Sequence, residues 1–138
     1  MNSLINMSEG ASLALHSLAL LARRQPEKMT VQQIARRLEA SSAHLAKVFQ
    51  KLGKSGLVRS VRGPGGGLTL SKPREEIRLL DIYEAIDGPV HIGACPLGRS
   101  DCLFRKCIFE GALNRISREI HHTLKSITLA RFSGEMFR

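Results

Sequence analysis

"TVQQIARRLEASSAHLAKVFQKL", residues 30–52, holds two helix starts eleven residues apart. In Thr30–Gln33 a Thr is followed three positions later by Gln, the form of a capping box, in which each side chain satisfies the other residue's unpaired backbone amide. A short helix follows, with Val31, Ile34 and Leu38 inward, ending near Ala40. Ser41 or Ser42 then caps a second helix that buries Leu45, Val48, Phe49 and Leu52. Two short helices joined by a tight turn make a helix-turn-helix. Burying that stripe places Ala43, His44, Lys47, Gln50 and Lys51 outside, with Ser42 at the amino end. Such small, polar and basic types suit a helix entering the major groove, where amides and hydroxyls read base edges and Lys meets phosphate. They equally suit a solvated amphipathic face.

The next segment favours the groove. Residues 57–62 and 68–71 read as strands around a glycine-rich turn at 63–67, giving a β-hairpin wing flanked by Arg59 and Arg62. The guanidinium groups and the amides of Gly65, Gly66 and Gly67 are placed to meet phosphates beside the second helix. A nucleotide phosphate loop does not fit, since no Lys-Ser/Thr follows Gly67 and no helix starts there.

Working outward, the apolar stripe Ala11, Leu15, Leu18 and Ala22 predicts a first helix over 8–24, closed by Pro26. After Pro73, "EEIRLLDIYEAIDG" predicts a short helix with Ile77, Leu80, Ile82 and Ile86 available for packing, stopped by Gly88. Residues 89–103 have no period and form the longest loop. From Phe104 to about Phe132 the spacing of Ile108, Ala112, Ile116, Ile120, Leu124 and Ile127 predicts a helix of about 42 Å, longer than so small a domain covers alone. An uncovered stripe implies a second copy of the chain, and a dimer presents two reading helices to two half-sites.

At 138 residues and 43% hydrophobic content the chain suits one domain with a buried core. Its net charge of +9 is concentrated: residues 1–71 carry ten Lys/Arg against three Asp/Glu, residues 72–138 eleven against nine. A polyanion is the natural partner of the first half. The apolar run 11–22 is too short to span a membrane and lacks the flanks of a secretory signal, which points to the cytoplasm, with no membrane partner. Catalytic triads, paired carboxylates and nucleotide loops are absent at usable spacing, so neither an enzyme nor a small-molecule substrate is expected.

The three cysteines, Cys95, Cys102 and Cys107, fall within thirteen positions, the last on the first turns of the long predicted helix. In a reducing compartment such clustering means metal ligands or redox-active thiols more than disulfides. The C-x6-C-x4-C spacing is not that of a structural zinc site. It leaves open an iron–sulfur cluster completed by a fourth ligand, or a thiol switch sensitised by Arg99, Arg105 and Lys106. A small iron–sulfur carrier is a further alternative, disfavoured by the basic first half.

The order of parts, with "VRGPGGGLTLSKPREEIRLLDIYEAIDGP" followed by three cysteines and a long helix, resembles the winged-helix iron–sulfur transcriptional regulators typified by IscR and the nitric oxide sensor NsrR. The resemblance implies a mainly α fold: a winged helix-turn-helix DNA-binding domain (1–88), a cysteine-bearing sensor loop (89–104), and a dimerisation helix and tail (105–138). It implies a homodimer on a double-stranded DNA operator, with a two-iron two-sulfide or four-iron four-sulfide cluster on Cys95, Cys102 and Cys107. Residues 42–51 become the recognition helix, with Thr30 and Ser41 at the flanking helix starts and Arg59, Arg62 and Gly65–Gly67 as the wing. For the fourth ligand, IscR-like members use a His three residues after the last cysteine, where this chain has Glu110. NsrR-like members use an N-terminal Asp of the partner subunit, matched here near Ser12, with Glu9 one turn earlier.

Overall fold

Helix starts fall where the capping signals put them. In the computed structural model, which describes residues 6–93, 95–99 and 101–134, helix α1 spans Glu9–Arg24 and is capped by Ser8, whose Oγ accepts from the Ala11 amide at 3.0 Å. Helix α2 (Val31–Arg37) begins with the complete capping box: Thr30 Oγ1 accepts from the Gln33 amide at 3.1 Å, and Gln33 Oε1 accepts from the Thr30 amide at 2.9 Å. Ser41 caps α3 (Ser42–Lys54), its Oγ accepting from the His44 amide at 3.3 Å, which decides between the two serines.

The core is aliphatic. Leu18, Leu21, Ile34, Leu45, Leu52, Ile77, Ile82 and Leu129 are all fully buried. Each such side chain contributes roughly 1.5–3 kcal/mol relative to exposure.

Strands β1 (Val58–Val61) and β2 (Gly67–Leu70) pair antiparallel, with Val58 opposite Leu70 and Arg59 opposite Thr69. Alternation turns Val58, Leu68 and Leu70 inward and leaves Arg59 in solvent. Relative to the predicted strands, β1 starts one residue later and ends one residue earlier, and β2 keeps its length but is shifted one residue toward the turn. The backbone of Met29 joins it through an isolated bridge to Leu68.

The predicted helix after Pro73 is divided. A 3-10 turn at Arg74–Glu76 gives way to extended backbone at Ile77 and Arg78, and α4 runs from Leu79 to Asp87, ending at Gly88 with φ 84°. Helix stops at Ile77 because its backbone is paired elsewhere: Ile77 C=O accepts from Leu129 N–H at 2.9 Å, and Leu79 N–H donates to Ile127 C=O at 3.0 Å.

The same pairing corrects the long terminal helix. Helix α5 covers Ala112–Ser126, not 104–132. At its start Glu110 and Gly111 both have positive φ, 51° and 79°, so helical backbone cannot run back through them to Phe104, and Cys107 sits in a turn and not on a helix. At its end Ile127 is extended, Thr128 bridges to Arg78, and a 3-10 turn at Leu129–Phe132 returns to α1 and buries Leu129 completely. Residues 127–132, expected to continue the long helix, instead pack back against α1 and residues 77–79, while the last part of the expected tail, 135–138, lies outside the described residues.

The architecture is a mainly α winged helix-turn-helix: four helices and a two-stranded wing around one core, with α5 leaning against α4 and otherwise projecting from it.

Candidate nucleic-acid interface and cysteine cavity

The second helix of the pair exposes the residues that its buried stripe predicts. Ser42, Ala43, Lys47 and Gln50 lie in solvent, and His44 is half-buried, its Nδ1 3.9 Å from Glu9 Oε1 in the first turn of α1. The hydroxyl oxygens of Thr30 and Ser41 accept from backbone amides, which fixes where α2 and α3 begin. Lys51 is exposed as well, and its Nζ also donates to the carbonyl of Ile86 at 3.4 Å, at the last turn of α4.

In the wing, Arg59 and Arg62 are exposed. Gly65 adopts φ 71° with open space around it. Gly66 and Gly67 serve the fold first: a Cβ on Gly66 would collide with the carbonyl of Val61, and one on Gly67 would lie 2.9 Å from the carbonyl of Met29. The segment that carries this surface is basic. Residues 40–74 hold Lys47, Lys51, Lys54, Arg59, Arg62, Lys72 and Arg74 and no Asp or Glu. Such a patch attracts a phosphate backbone and releases its counterions on binding.

The cysteines lie on the loop that follows the last turn of α4. The loop after Gly88 is punctuated by turns at glycines with positive φ, Gly93, Gly98 and Gly111. Cys95 and Cys107 each open one: Gly98 N–H donates to Cys95 C=O at 2.8 Å, and Glu110 N–H to Cys107 C=O at 2.9 Å. This folding brings Cys95, Cys102 and Cys107 onto the wall of one open cavity of about 230 Å³. Arg99, Asp101 and, from the first turn of α5, Asn114 share that wall. The amino end of α5 has no side-chain cap, so its unpaired amides favour negative charge there, as does Arg99.

All three thiols are free and exposed. Among the described residues no three His, Cys, Asp or Glu converge closely enough to hold a single metal ion. Three soft donors spread around a cavity fit a multi-iron cluster, whose ligands bind different irons, better than they fit one ion. Of the carboxylates raised from the sequence as a fourth ligand, Glu110 does not line this cavity and lies 3.8 Å from Lys106, while Glu9, expected from a partner subunit, lies beside His44 of its own chain. Asp101 and Asn114, which do line it, carried only weak signals in the sequence, adjacency to Cys102 for one and none for the other.

The last turn of α4 links the two regions. Asp87 accepts from Ser8 Oγ at 2.6 Å and from the Tyr83 hydroxyl, and burial, then this carboxylate, raise the phenol above its ordinary range. Glu84 Oε1 accepts from the Val90 amide at 3.2 Å, holding the first residues of the loop.

A model of the Rrf2 family, described as an iron-dependent transcriptional regulator, matches residues 7–135. The chain belongs to the Rrf2 family. It is 34% identical over 129 residues to the HTH-type transcriptional regulator IscR of Vibrio atlanticus, covering 93% of this chain and 70% of that protein. Among solved Rrf2-like structures, IscR of T. potens superposes with a TM-score of 0.71 at 25% identity, covering 91% of this chain and 84% of that one. CymR, the global cysteine regulator of B. subtilis, shares the fold at a TM-score of 0.75 and 24% identity over 94% of this chain and 97% of that one. Like other Rrf2 proteins the chain is a DNA-binding transcriptional regulator and not an enzyme. None of its described helices is long and apolar enough to cross a membrane.

Proposed function

We propose that this Rrf2 protein is a cytoplasmic homodimer that binds operator DNA through α3 and the wing, with an affinity set by an iron–sulfur cluster on Cys95, Cys102 and Cys107. The observation that carries the reading is the meeting of three thiols, from a loop with no regular structure, on one cavity at the uncapped amino end of α5. When bound, the cluster supplies a redox- and nitric-oxide-sensitive centre. The chain's own part is to hold it by three thiolates beside Arg99 and the helix amides, and to connect it to α5 and α4. Asp101 and Asn114 join Glu110 and Glu9 as candidates for the remaining ligand. Similarity to proteins named IscR supports the assignment.

Dimerisation is supported by the outer face of α5. Ile116 is 42% exposed, and Ile116, Ile120 and Leu124 border a shallow depression with Thr123 and Glu119. An apolar stripe left open on a projecting helix is where a second copy would pack.

A second reading, a metal-free thiol switch on the same scaffold, is favoured by the exposure of all three thiols and the lack of a convergent donor set among the described residues. Iron and acid-labile sulfide counts on anaerobically purified protein separate the two. Matched iron and sulfide, lost in Cys102→Ala, establish the cluster; iron-free protein that reconstitution cannot load, with reversible thiol oxidation altering operator affinity, establishes the switch.

A further inference from the structure

Lys51, exposed on α3 and assigned to phosphate by the helical spacing, also reaches protein. Its ammonium donates to Ile86 C=O at 3.4 Å, one of the carbonyls left without an intrahelical partner at the end of α4. Helix α4 carries no basic residue in its own last turn, so Lys51 of α3 supplies the positive group that a helix carboxyl end favours. The contact is reinforced by packing. A Cβ on Gly10 of α1 would lie 3.2 Å from Ile86 Cγ2 and 3.9 Å from Val48 Cγ2, so α1, α3 and the end of α4 meet at that point with no spare volume. On its other side the same turn holds the cysteine-bearing loop, through Glu84 and the Val90 amide, immediately after Gly88.

We propose that the last turn of α4 is the joint between the cysteine-bearing loop and the DNA-reading helix, and that Lys51 is the positioning residue that holds α3 to it. The inference rests on α3 being the reading helix; it does not depend on what the cysteines bind. Pulling on the loop at Val90 shifts Glu84, hence the turn that presents Ile86 C=O, hence the angle at which α3 offers Lys47 and Gln50. A coupling of this kind needs a physical element that both sites bias, and this turn is bonded to both.

The test uses the full-length protein without metal, in three forms, Lys51→Met, Glu84→Ala and the pair, with Lys51→Arg as the conservative control. Amide hydrogen exchange is read first. Lys51→Met should speed exchange at Val90, and Glu84→Ala should speed it at Leu52–Ser55, each at least about threefold, the scale of coupling between residues sharing one network. Effects confined to the mutated residue's own element overturn the proposal, whatever happens on DNA.

Binding to a promoter fragment is read second. The double variant should lose no more affinity than the worse single one, and Lys51→Arg should behave as the parent. Additive losses overturn the proposal. So does a loss in Lys51→Met that comes with a salt slope lower by about one, the signature of a direct phosphate contact. A Lys47→Ala variant that binds as tightly as the parent would instead count against α3 as the reading helix, which the exchange data do not assume.

Discussion

Met29 and Leu68 exchange two backbone hydrogen bonds, Leu68 N–H to Met29 C=O at 2.7 Å and Met29 N–H to Leu68 C=O at 3.3 Å. That bridge clamps the wing to the residue before the capping box, so the wing and the helix-turn-helix keep one orientation. Gly67, next to Leu68, passes so close to Met29 that it has no room for a side chain. Gly67→Ala combines this clash with a φ of 149° and should cost about 1–3 kcal/mol. Gly65→Ala meets open space and carries only the cost of positive φ, about 1 kcal/mol. Thermal unfolding of both variants checks the order: Gly67→Ala should melt below Gly65→Ala.

Thr30 acts through its cap. Thr30→Ala removes one half of the capping box and should destabilise the protein by about 1 kcal/mol, while Thr30→Ser should restore most of the loss. Urea denaturation measures both. If Thr30 served DNA alone, stability would not change.

Leu129 ties the chain after α5 to α1 and Ile77 and is fully buried. Leu129→Ala should cost about 3 kcal/mol by lost transfer energy plus the cavity left behind. The denaturation midpoint in urea reports it, and the expected m value is unchanged.

The basic face should titrate with salt. Lys47→Ala, Arg59→Ala and Arg62→Ala should each weaken operator binding and, if each meets one phosphate, lower the slope of log K against log salt by about one. Fluorescence anisotropy at four or more salt concentrations reads the slope. Lys51→Met should leave it unchanged.

The stripe on α5 should govern assembly. Ile116→Asp places a charge on a residue that is 42% exposed, so the isolated fold tolerates it, while a dimer would have to bury the carboxylate. Sedimentation velocity should show the dimer dissociation constant rising at least about tenfold. An unchanged constant would put the dimer contact elsewhere.

Short-range bonds account for the features legible from residue order alone. The capping box at Thr30 and the cap at Ser41 are contacts between residues three apart, the buried stripe of α3 follows from helical period, and the wing follows from alternation around glycines. Each of these is closed within a dozen residues, so residue type and spacing suffice to read it.

Long-range packing sets where α5 starts and stops, what Lys51 reaches and which groups share the cysteine cavity. The periodic apolar residues from Ile108 to Ile127 suit a helix along their whole length. Positive φ at Glu110 and Gly111, and pairing of residues 127–129 with 77–79 some fifty positions away, outweigh that local preference at both ends. Lys51 has the composition of a phosphate ligand and an acceptor 35 residues distant. Asp101 and Asn114 come beside the thiols because glycine turns fold the loop back on the amino end of α5. In each case the partner is far along the chain, and spacing carries no information about contacts that only the packed core brings together.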